Sequence, residues 1–69
     1  MNERLERLIE EMVTKGIRFA DASREFERRF ISRVLADADG NLSRAAGVLG
    51  IHRNTLSRKM AEHRLKRRP

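Results

Sequence analysis

The residues with most chemistry to offer sit together between His52 and Lys59, in the run His-Arg-Asn-Thr-Leu-Ser-Arg-Lys. Apart from Leu56, these residues are hydrogen-bond donors or cations suited to a polyanion. A guanidinium can donate two parallel bonds to guanine O6 and N7, and Arg53 is the best-placed candidate for that reading. His52 and Asn54 suit purine edges, directly or through water. Thr55, Arg58 and Lys59 suit phosphates, which set register without reading sequence. Ser57 reaches least. A second group, Asn41, Ser43 and Arg44, stands where a preceding helix would begin, and helix-terminal amides and the helix dipole favour a phosphate there. Lys66, Arg67 and Arg68 form a basic tail able to add non-specific contacts.

Other chemistries are poorly served. The 69 residues contain no cysteine and two histidines, His52 and His63. That leaves no disulfide and no thiolate site, in keeping with a reducing cytosol, and two histidines do not complete a zinc centre. No cofactor motif is present and no metal is expected. A serine, histidine and acid can be paired on paper, but so short a chain has little room for the cleft catalysis needs. The expectation is that this is not an enzyme. His63 suits a role at a helix end better than a site.

Charge points the same way as the side chains. Residues 1–40 hold eight Lys/Arg against nine Asp/Glu, a net of −1, whereas residues 41–69 hold eight against Glu62 alone, a net of +7; together these give the overall +6. A segregated positive half is the footprint of a nucleic-acid binder. No apolar run approaches the roughly 20 residues of a membrane span. The first fifteen residues alternate charge with leucine and lack the apolar core of a signal peptide.

Elements must hold these groups in place, and the pattern predicts four helices in one all-α domain covering 1–69. Leu5, Leu8, Ile9, Met12 and Val13 follow the i, i+3, i+4, i+7 spacing of one apolar stripe, giving a first helix from Glu3 to Lys15 closed by Gly16. Glu3–Arg7 and Glu11–Lys15 are i,i+4 pairs in the favourable order. Ile17 and Phe19 fall in a short link, expected to tuck under the helices. Asp21 is the expected N-cap of a second helix reaching Ala38, with Phe26, Phe30, Ile31 and Val34 on a broad apolar face. Gly40 ends it, Asn41 caps a third helix over Leu42–Leu49, and a fourth runs from Arg53 to His63. Ala45 and Ala46 are small where the fourth helix must cross the third. Gly50 supplies a left-handed turn, and Leu49, Ile51, Leu56 and Met60 close the core between the two. Two short helices joined in this way form a helix-turn-helix, here residues 41–63, with 64–69 as a basic tail.

A chain this short buries only about 60% of its unfolded surface, and small scaffolds without disulfides or metals commonly gain stability from a partner. Residues 3–38 carry all three phenylalanines, a core or interface investment; if two copies pair, Leu5, Leu8, Ile9, Met12, Val13, Phe26, Phe30, Ile31 and Val34 are the residues expected at the dimer interface.

The run Gly-Asn-x-Ser-Arg-Ala-Ala-x-x-Leu-Gly-Ile-x-Arg-Asn-Thr-Leu-x-Arg-Lys from Gly40 to Lys59 resembles the Fis family, which includes a nucleoid protein and the C-terminal domains of sigma-54-dependent activators. Residues 3–38 agree with that family in pattern only. The resemblance implies a four-helix fold whose first two helices intertwine as a homodimer. It also implies DNA-contact positions at Asn41, Ser43, Arg44, His52, Arg53, Thr55, Arg58 and Lys59. Many relatives carry a basic residue at the position of Ser57, so one contact is expected to be weaker here. It further implies a bacterial, cytoplasmic, nucleoid-associated protein that binds and bends double-stranded DNA, regulating transcription or organising the nucleoid, with DNA, itself and the transcription machinery as partners. Two other readings fit the residues: a helical module for binding another protein, and the terminal domain of a larger activator.

Overall fold

The computed structural model describes residues 2–65, so the basic tail Lys66–Arg68 lies outside the described residues. Those residues form four helices and no strand: α1 Asn2–Thr14, α2 Phe19–Asp37, α3 Leu42–Leu49 and α4 Arg53–Glu62. The all-α reading holds, and three of the four helices start and stop within a residue or so of their expected bounds. No described helix is long and apolar enough to cross a membrane.

All four helices stop by one device. The backbone N–H of Ile17, Gly40, Ile51 and Leu65 each bonds to the carbonyl five residues earlier, at Met12, Leu35, Ala46 and Met60. Such a closure needs a residue with φ > 0 just before the donor. Gly16 and Gly50 meet that need at φ 76° and 72°, but Asp39 and Arg64 adopt it at 53° and 56°. At the end of α2 the first left-handed residue is therefore Asp39, with Gly40 continuing the turn at φ 77°.

The start of α2 corrects the sequence reading. The helix begins at Phe19, its N-cap is Arg18 without a side-chain cap bond, and Asp21 lies in the first turn. From there Asp21 still interacts favourably with the positive end of the helix dipole, but caps nothing. Neither Ile17 nor Phe19 is tucked in; Phe19 is 87% exposed. The expected Glu3–Arg7 and Glu11–Lys15 pairs are absent from the ion pairs of the described residues. Those pairs lie instead within α2, as Glu25 with Arg28 and Arg29 and as Arg33–Asp37, and between α2 and α4.

The core is small and is made by α2, α3 and α4. Ile31, Leu35, Ala38, Leu42, Ala45, Ala46, Leu56 and Met60 are buried, with Val34, Leu49, Ile51 and Leu65 packed against them. Ala45 and Leu56 are fully covered. Ile31, also expected at the dimer interface, is 3% exposed and belongs to the chain's own core. Helix α1 contributes no buried residue at all. The Cα radius of gyration is 13.6 Å, against about 11 Å for a compact chain of this length, as expected when α1 packs little against the other helices.

Candidate nucleic-acid interface

Helix α4 has two unlike sides, and the burial of its residues follows the helical period. Leu56 and Met60 face inward; Thr55, Lys59 and His63 lie half-buried along one flank; Arg53, Asn54, Ser57, Arg58 and Ala61 are exposed. The exposed side holds two guanidiniums, an amide, a hydroxyl and one small residue. The one acid exposed on α4 is Glu62 in its last turn, so the first two turns present only cations and neutral groups to a polyanion.

The turn before it is built as the sequence requires. Gly50 is left-handed at φ 72° and caps α3, with Ala45 and Ala46 buried where α4 crosses. His52 is the N-cap of α4: its Nδ1 accepts the backbone N–H of Asn54 at 3.0 Å. A ring that accepts at Nδ1 in its neutral form carries its proton on Nε2. The capping bond thus orients a donor outward from the first turn of α4.

At the start of α3, Asn41 Oδ1 accepts the backbone N–H of Arg44 at 3.1 Å. Ser43 and Arg44 are exposed beside it, while Leu42 turns into the core. Capping thus engages the oxygen of Asn41 and leaves its amide group free to donate.

One group was not legible from the sequence. Glu27 on α2 bonds both Lys59 Nζ, at 2.8 Å, and His63 Nε2, at 3.1 Å, through the same oxygen. These bonds, first to Lys59 and then to His63, hold its carboxyl below the usual carboxylate range. Lys59, expected as a phosphate contact, thus has its ammonium on a carboxylate of its own chain. The available signal was position: Glu27 falls four residues before Ile31 and eight before Leu35, on the buried stripe of α2. Glu27, Glu62 and His63 also bring three ligand atoms within 4.8 Å of one another. The Lys59 ammonium already sits on the Glu27 oxygen, the place a cation would take.

The family model described as "Bacterial regulatory protein, Fis family" matches residues 22–63, more than half of the chain. The chain belongs to the Fis family. The match spans all but the first three residues of α2, then α3, the turn and α4, and leaves α1 outside. Two proteins of Xylella fastidiosa, each named "Putative Fis-like DNA-binding protein", are similar to this Fis-family chain. The one from strain Temecula1 is 50% identical over 42 residues, 61% of this chain and 47% of its own length. The one from strain 9a5c is 49% identical over 41 residues, 59% of this chain and 46% of its own length. The matched part is about half the length of these relatives. No solved structure matches the chain significantly.

Proposed function

We propose that this chain binds double-stranded DNA as a homodimer, laying the exposed side of α4 in the major groove. The observation that carries the reading is the division of α4 into a buried apolar side and an exposed side bearing Arg53, Asn54, Ser57 and Arg58. Family membership and the relatives' printed names support it. On this reading Arg53 reads a base edge, His52 and Asn54 assist from the first turn, and Thr55 and Arg58 meet phosphates. Asn41, Ser43 and Arg44 hold a phosphate at the start of α3. Lys59, engaged by Glu27, is left out of this set.

The dimer rests on unspent apolar surface. Leu5, Leu8, Ile9 and Val13 of α1 and Phe26 and Phe30 of α2 are all exposed, and the two phenylalanine rings lie 5.4 Å apart. A mainly apolar groove of about 250 Å³ beside them is lined by Phe26, Phe30, Ile31, Leu49 and Ile51, together with Ser23, Glu27 and Lys59. Contiguous apolar surface of this kind marks an interaction site, and a second copy offers the matching stripe of α1. Two α4 helices set by one dimer would enter successive grooves of a bent duplex. Bending costs on the order of 1–6 kcal/mol and discriminates against stiff sequences. The role is regulation of transcription or shaping of the nucleoid, in the bacterial cytoplasm, as one domain with residues 3–38 pairing the copies and 41–63 reaching DNA.

Titration with duplex DNA at several salt concentrations tests this directly. If about four to nine phosphates are neutralised, log K falls against log salt with a slope of roughly −4 to −8. A slope near zero rejects the mechanism. Sedimentation equilibrium with and without DNA tests the dimer; a monomer that ignores DNA would favour a protein-interaction module instead.

A further inference from the structure

Glu27 stands on the wrong side of its helix for a carboxylate. Glu27, Ile31, Leu35 and Ala38 lie at spacings of four, four and three on one face of α2, and the last three are core residues. A charge on such a face is costly unless it is partnered. Both partners come from α4, where Lys59 and His63 are themselves four residues apart and share the Glu27 Oε1 oxygen. The His63 side chain is only 6% exposed and that of Lys59 is 32% exposed. Glu27 therefore grips α4 at two points one turn apart.

What this grip adds to the packing is direction. Leu56 and Met60 anchor α4 by apolar burial, which resists exposure but is non-directional. Charge-assisted hydrogen bonds fix an angle as well as a distance. With side chains reaching about 5–6 Å or more from the helix axis, a rotation of about 10° moves an arginine tip by on the order of 1–2 Å. That is enough to spoil a paired hydrogen bond to a base edge.

We propose that Glu27 is a specificity-determining positioning residue: by holding Lys59 and His63 it fixes the rotation of α4, and Lys59 serves that clasp rather than a DNA phosphate. Three features carry this. Lys59 shares the half-buried flank with Thr55 and His63, apart from the exposed side of Arg53, Asn54, Ser57 and Arg58. Moving it to a phosphate would strip a carboxylate that also holds a nearly buried histidine. The clasp joins the recognition helix to α2, the helix that the dimer reading makes common to both copies. The proposal rests on that reading of α4 as the DNA-binding helix.

The test uses the full chain, a preferred duplex selected from a randomised pool, and a random duplex of equal length. Glu27→Gln keeps the shape of the side chain and removes its charge. It is expected to weaken the preferred duplex by about 3- to 10-fold, lower the preferred-to-random ratio and leave the salt slope unchanged. Lys59→Glu alone is expected to lose preferred binding, and the double swap Glu27→Lys with Lys59→Glu to recover most of it, because the pair is re-formed with its signs exchanged. A phosphate contact at Lys59 would give no such recovery, since the swap puts a carboxylate towards DNA. A double swap no better than Lys59→Glu, or a ratio in Glu27→Gln that is unchanged or higher, overturns the proposal. If the swapped chain is unfolded at the assay temperature, the Glu27→Gln ratio decides alone, with its melting temperature recorded beside it. A wild-type chain that binds no duplex overturns the DNA reading and this inference together. Wild-type binding with an unmoved ratio overturns this inference only.

Discussion

The Nδ1 atom of His52 accepts the backbone N–H of Asn54 at 3.0 Å, so the residue before α4 is also its cap. On the proposed reading, structure and DNA contact meet in one side chain, and substitutions test the structural part. His52→Ala should destabilise the fold by about 1 kcal/mol, the usual cost of losing a cap. His52→Asn keeps an acceptor at the favoured N-cap position and should hold stability within a few tenths of that of the parent chain. Urea midpoints of the three chains check this; equal midpoints for the alanine and parent chains would remove the cap from the account.

The left-handed residues give a prediction of opposite signs. Gly50→Ala places a Cβ that meets nothing within 4 Å, so the expected loss of about 1–2 kcal/mol is pure backbone strain at φ 72°. Asp39 already bears such strain at φ 53°, so Asp39→Gly should gain about 0.5–1 kcal/mol. Melting temperatures should move in opposite directions for the two variants.

Leu56 is fully covered in a core of eight buried residues. Leu56→Ala should cost about 2–5 kcal/mol, which rivals the whole stability of so small a fold. Loss of helical circular dichroism at room temperature is the expected result. A cooperative transition close to the parent's would show that α4 packs elsewhere.

Acid should weaken the α2–α4 clasp. The Glu27 carboxyl is held below its ordinary value of 4.5, first by the Lys59 hydrogen bond and then by that of His63. A carboxyl lowered in the folded state stabilises fully above its unfolded value and loses that contribution as pH falls through the folded one. The stability gap between the parent chain and Glu27→Gln should thus narrow as pH falls from 4.5 through the lowered folded value. Urea denaturation of both chains across the acid range reads the gap directly; a gap that does not narrow as the pH falls would mean that it does not come from this charge.

If Arg53 reads a base, Arg53→Ala should cost about 1–3 kcal/mol at preferred sites and less on random DNA. Competition between the two duplexes measures this. Equal losses would make Arg53 a phosphate contact.

The parts that could be read from the sequence are those fixed by neighbours in the chain. Asn41 caps α3 through Arg44, three residues on. Gly50 turns the chain left-handed, and Ala45 and Ala46 are small where α4 crosses. Each requirement acts within a short span and is met by a residue of unusual shape. What escaped was set by distance or by weak local preference. Glu27 and Lys59 are 32 residues apart, and neither has a local pattern that names the other. Asp21 has a capping side chain, yet α2 starts earlier, at Phe19, because a helix can begin from an extended Arg18 without a side-chain cap. Asp39, not Gly40, takes the first left-handed position because the closing bond to Leu35 fixes which residue must turn. That Ile31 belongs to the chain's own core depends on residues of α3 and α4 far from it in sequence.

Helix α1 buries none of its residues within its own chain. On the dimeric reading, its ordering is a mass-action event, and stability must rise with protein concentration. DNA affinity then depends on how many copies the cell holds, more steeply than in direct proportion when copies are few. Proteolysis at low abundance would find α1 before it found the rest. The cell's supply of the chain becomes an input to binding, with no ligand needed to convey it.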